Sequence, residues 1–156
     1  MEQKNDGVFW MSLDDFIENF SYLYVTRILS TKTGWTHKEV AAWWRGSTAE
    51  GLPSKANPKA RLDKNPQFEV RVTKSCNGFI SLLQLDQVSM FKGKHNIFFM
   101  VSAVDGDYIK KVDKATMICM SGSPINLNVV TAECDFPPGL SYPYTFTVLV
   151  ATSKSG

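Results

Sequence analysis

Three cysteines and two histidines carry whatever nucleophilic chemistry this chain has, and their setting argues against catalysis. A cysteine nucleophile needs a base, usually histidine, and a third group to orient that base. His37 and His95 both stand in loop-like contexts. None of Cys76, Cys119 and Cys134 opens a helix, where the dipole would lower a thiol pKa. Cys119 lies between Ile118 and Met120, so an inert core thiol is expected there. The cysteines are odd in number, widely spaced and without a CxxC pair, which reads as buried free thiols in a reducing compartment. No pair of Cys or His has the spacing of zinc ligands.

Binding chemistry is better represented. Asp105-Gly106-Asp107, with Asp113 a little later, offers oxygen ligands for calcium from a loop between two strands. A solvated turn is the plainer reading, and Lys110, Lys111 and Lys114 nearby would oppose a cation. Together with Lys92 and Lys94 in another inter-strand loop, those lysines offer a basic patch for anionic lipid or an acidic partner. Scattered, solvated lysines are the alternative. Trp43 and Trp44 are expected to bury against the adjoining fragment.

The bulk of the chain sets the frame. Its 156 residues fit one domain, or one domain plus an appended fragment, and 44% hydrophobic residues with 12% aromatics can fill a core. A net charge of +2 gives no reason to expect nucleic acid. The charge is uneven, with five acids and two bases in residues 1–30 against fifteen bases and ten acids in 31–156. No stretch has the length of a transmembrane span, and the polar start does not read as a signal peptide. A cytoplasmic protein, able to sit peripherally at membranes, is the default expectation.

The elements that must position these groups begin at an Asp6-Gly7 turn, followed by a short apolar strand and a helix. Ser12 has the chemistry of an N-cap, Asp15 makes an approximate capping box, and Met11 and Phe16 have staple spacing. Leu13, Phe16, Ile17, Phe20 and Tyr24 share one helical face. Tyr22–Leu29 is rich in β-formers and predicts a strand. Residues 46–65 form a long irregular connection, either functional or pinned by its side chains. Strands are then predicted over 68–72, 79–85 (after an Asn77-Gly78 turn), 96–104, 117–120, 126–130 and 145–150. The 96–104 run is almost wholly apolar, as a strand buried on both faces would be. The expected fold is mainly β, an antiparallel β-sandwich preceded by a short strand-helix segment.

Several separated motifs resemble one family. Asp6-Gly7-Val8-Phe9-Trp10-Met11-Ser12-Leu13-Asp14-Asp15-Phe16 is similar to the segment that closes the protease core of calpains. Trp44-Arg45-Gly46-Ser47-Thr48-Ala49-Glu50-Gly51 and Asn65-Pro66-Gln67-Phe68 resemble the segments that follow. Ser121-Gly122-Ser123-Pro124-Ile125-Asn126-Leu127 and Phe136-Pro137-Pro138-Gly139 resemble two more, in family order.

The resemblance implies that residues 1–30 are the tail of a papain-like core and that 31–156 are the calpain-type, C2-like sandwich, domain III. It implies a regulatory module without the catalytic Cys, His and Asn, which lie upstream in the family. The chain alone would then be no enzyme, and its first partner would be the protease core. The parent would be a calcium-dependent cysteine endopeptidase or a catalytically dead scaffold. Ca2+ enters for that parent, and Asp6 matches one calcium ligand of the core, although Val8 replaces a neighbouring acid. The family's acidic loop after the first strand is replaced by Lys74-Ser75-Cys76-Asn77-Gly78, and Glu50 stands where glycine is usual. The family's closing strand either lies beyond Gly156 or is Thr145–Val150 itself. Self-association through the apolar helix face or an unpaired edge strand is a further expectation.

Overall fold

A computed structural model describes residues 9–23, 28–55, 57–84 and 95–153. Asp6, Lys92 and Lys94 therefore lie outside the described residues. Contacts divide the chain into two units, Met1–Val40 and Ala41–Gly156.

Among its described residues the first unit holds one helix, α1 (Leu13–Asn19), and a 3-10 turn at Thr31–Thr33. Ser12 caps α1 as its sequence predicts: its Oγ accepts from the Asp15 N–H at 3.1 Å and donates to the Asp15 carboxylate at 2.7 Å. The rings of Phe16 and Phe20 stack with centroids 4.8 Å apart. No residue of α1 is buried. Two strands expected from the sequence are not seen among the described residues. Phe9 and Trp10 are irregular and exposed, as are Tyr22, Leu23, Ile28 and Leu29, while 24–27 lie outside the described residues. The reason is pairing: every described strand lies between residues 67 and 152, and β-forming residues without a neighbour to hydrogen-bond make no strand.

The second unit is mainly β, in two antiparallel sheets. Its strands are β1 (Gln67–Val72), β2 (Cys76–Leu83), β3 (Ile97–Ser102), β4 (Met117–Met120), β5 (Val129–Phe136) and β6 (Tyr144–Thr152). The larger sheet runs β1-β6-β3-β4, and β2 pairs with β5 in the smaller. Period-two alternation places Phe99, Val101, Phe146 and Val148 of the larger sheet opposite Val130, Cys134 and Phe136 of the smaller, forming one core. The other face of the larger sheet buries Phe98, Met100, Leu149 and Ala151 under Leu62, Ile109 and Trp44. Hence β3 is buried at all six positions, as its almost wholly apolar run predicts.

The layer over that second face is the irregular 44–65 connection, and one side chain pins it. Asn65 is only 4% exposed. Its Oδ1 accepts from the Gly51 N–H at 2.8 Å, and its Nδ2 donates to Gly51 O at 2.9 Å and to Arg61 O at 3.1 Å. The Leu52 N–H reaches Thr152 O on β6 at 2.9 Å. Trp44 packs on the sheet, whereas Trp43 is 72% exposed with the Arg45 guanidinium 5.8 Å from its ring centroid. The expectation that both tryptophans bury is thus corrected, since only one of two adjacent side chains faces the cluster.

Three further corrections concern the sandwich. Asn77-Gly78 is no turn but part of β2. A Cβ at Gly78 would come within 3.0 Å of the Phe136 ring, so glycine is there for close approach. The strand expected at 126–130 begins at Val129 and runs to Phe136, with its inward Val130, Cys134 and Phe136 alternating with exposed polar residues. The buried free thiols are replaced by a disulfide: Cys119 on β4 bonds Cys134 on β5, with Cα atoms 5.4 Å apart. The two residues lie on different sheets, facing each other across the core, which linear spacing does not show. Cys76 is free and exposed.

Candidate functional site

The connection between β3 and β4 carries most of the described candidate residues. It opens with a tight turn in which Asp105 (φ 48°) and Gly106 (φ 81°) are both left-handed and the Asp107 N–H donates to Val104 O at 3.0 Å. This is the Asp-Gly signature of a type I′ turn. The turn is tied to β6: Gly106 N–H donates to Thr145 O at 3.1 Å, and Thr147 Oγ1 donates to Asp107 O at 2.8 Å.

Gln67 on β1 fixes the next step. Its Oε1 accepts from the Ile109 N–H at 2.8 Å and its Nε2 donates to Ile109 O at 3.0 Å. With both backbone groups of Ile109 held, that side chain is 3% exposed and packs into the second cluster. Tyr108, Lys110 and Lys111 on either side are left exposed. The C-terminal end of the connection closes on Asp113, whose Oδ1 accepts from the Ala115 N–H at 2.9 Å and whose carbonyl accepts from the Met117 N–H at 3.0 Å.

Between these anchors lies an open groove of about 250 Å³, walled by Lys110, Lys111, Asp107, Asp113, Tyr108 and Thr116. The structure therefore brings Asp107, Lys110 and Lys111 together in one concavity, with Asp113 beside them. Asp105 sits exposed at the adjoining turn, and exposed Lys114 is outside the groove's lining. Among the described residues, no three His, Cys, Asp or Glu side chains converge as metal ligands would. The groove is lined by residues that carry two lysines, two aspartates and a tyrosine, on a backbone fixed at Ile109 and Asp113.

Gln67 and Thr147 position this site, and neither stands out as functional in the sequence. Gln67 is nevertheless visible as part of Asn65-Pro66-Gln67-Phe68. Every member of that motif contributes to the structure. Asn65 pins the covering layer, Pro66 O accepts from the Val150 N–H at 2.9 Å, Gln67 holds the groove and Phe68 packs on the core.

The fold and site define an antiparallel β-sandwich with a charged groove, in which two of three cysteines are committed to a disulfide. Along much of its length the chain is similar to members of the calpain family. It is 24% identical to a calpain-type cysteine protease, DEK1, of Zea mays over 184 aligned residues, which take in 97% of this chain and 8% of that protein. Calpain clp-1 of Caenorhabditis elegans is 29% identical over 91% of this chain and 22% of its own length, and human calpain-8 is 39% identical over 43% of this chain and 10% of its own. The chain thus spans less than a quarter of these relatives' lengths. No protein-family model and no solved structure matches it. Among the described residues, no helix is long and apolar enough to cross a membrane.

Proposed function

We propose that this chain is a non-catalytic module of a calpain-type protein, a C2-like sandwich of the domain III kind. In this reading it supports a protease core through residues 1–30 and binds anionic phospholipid through the Lys110–Lys111 groove, at the cytoplasmic face of a membrane. One observation carries the assignment: the similarity to calpain-type proteases extends over nearly the whole chain. The exposed Phe9, Trp10, Leu13 and Ile17 support a first unit that has its cover in a larger protein. Purified chain, assayed on casein with Ca2+, is expected to leave it intact. Cleavage abolished by thiol alkylation would overturn the non-catalytic reading.

The relatives' description as cysteine proteases favours a second reading of the parent, as a calcium-dependent cysteine endopeptidase of which this chain is the downstream part. The full-length protein would then cleave casein in a Ca2+-dependent, thiol-sensitive way. Failure to do so would favour a calpain-like scaffold that works by binding alone.

A further inference from the structure

The Cys119–Cys134 bond joins a short edge strand to the smaller sheet. β4 has four residues and, among the described residues, lies at the edge of its sheet and pairs with β3, through Met100, Val101 and Ser102 with an irregularity between the last two. Just beyond it, the Ser121 N–H donates to Phe99 O at 3.0 Å and the Ser121 Oγ accepts from the Phe99 N–H at 3.0 Å. β5 is held by pairing with β2 along its full length, from Phe136 opposite Cys76 to Val129 opposite Leu83. Directly before β4 stands the groove-bearing connection, whose end is bonded back on Asp113 and whose Thr116 O accepts from the Ala103 N–H at 2.8 Å. Whatever holds β4 therefore holds the Asp113–Thr116 wall of the groove. Cys134 is fully buried, while Cys119 is only partly so, and a reductant meets the bond from the Cys119 side.

We propose that the Cys119–Cys134 bond is a redox-operated latch, opened by a dithiol reductant, that sets how firmly β4 and the 103–116 connection are held. A reductant thiolate attacks the Cys119 Sγ; the S–S bond breaks and its electron pair leaves on the Cys134 Sγ, which takes a proton. The second thiol of the reductant attacks the mixed disulfide and releases the Cys119 thiolate, which takes the other proton. Two electrons pass to the protein, and the reductant departs as a disulfide. The hydrogen bonds that join β1 to β6 and β6 to β3 persist throughout, because the bond anchors neither pairing, whereas those from β3 to β4 loosen with the latch. The latch stands whatever ligand the groove takes.

Amide hydrogen exchange by mass spectrometry tests it on the untreated protein, on the protein reduced with dithiothreitol without denaturant, and on Cys119→Ser. Thiol titration should count one free thiol before reduction and three after. Exchange over 103–120 should rise about 10-fold or more on reduction while the amides that pair β6 with β1 and with β3 stay protected. Cys119→Ser should match the reduced protein with or without dithiothreitol, and Cys76→Ser should behave as wild type. Three thiols before reduction, a bond that resists dithiothreitol, unchanged exchange, or an equal rise in every strand would each overturn the proposal.

Discussion

Asn65 holds an irregular layer against a sheet with a single side chain. Its replacement by alanine leaves the N–H and C=O of buried Gly51 without their partner. Each stranded backbone group costs about 1–3 kcal/mol, so Asn65→Ala should lower the urea unfolding free energy by about 3 kcal/mol; a loss below about 0.5 kcal/mol would contradict the role. Tyr142 shows a different dependence on its surroundings. Its hydroxyl donates to Pro137 O at 2.7 Å, and burial, reinforced by the nearby Cys76 thiol, pushes the phenol above its ordinary value of 10.0. A raised folded-state pKa means that the phenol's contribution is intact below about pH 10 and is lost as pH rises through the folded value. Wild type should therefore lose stability above pH 10 relative to Tyr142→Phe, and parallel alkaline unfolding curves would contradict this. Asn65 is visible in the sequence within a motif. Its partner Gly51 is not, because a hydrogen bond across 14 residues leaves no periodic trace.

At the scale of elements, the legible strands are those whose apolar run or strict alternation matches their burial. The apolar run over β3 and the alternation over β1 predict the observed strands nearly to the residue. β5 is legible only at its start, because its outward residues are polar and weak strand formers. Tyr22, Leu23, Ile28 and Leu29 have the right residue types, and none of them is in a strand among the described residues. Gly78 reads as a turn because glycine has two uses, and only the position of the Phe136 ring separates them. Gly78→Ala forces that buried ring to shift and should cost about 1–3 kcal/mol, whereas Gly139→Ala, with nothing within 4 Å, should be near neutral. Equal effects in thermal melts would contradict the close-approach reading. Gln67→Ala should speed exchange of the Ile109 amide about 10-fold or more, since that N–H loses its acceptor. Unchanged exchange would mean that the groove's backbone is held by something else.

For the molecule as a whole, the mainly β, antiparallel class is legible in the spacing of strands and turns. The two-sided burial of the larger sheet and the link between sheets at Cys119 and Cys134 are not. The candidate charges are legible one by one, while their gathering into a groove depends on the Asp105-Gly106 turn and on Gln67, which only three dimensions bring together. If the chain is a binding module, co-sedimentation with phosphatidylserine-containing vesicles tests that most directly. Each lysine near an anionic surface contributes about 1 kcal/mol, so Lys110→Ala/Lys111→Ala should bind about 30-fold more weakly than wild type. Wild type that fails to pellet, or a double variant that pellets equally well, would contradict binding through this groove.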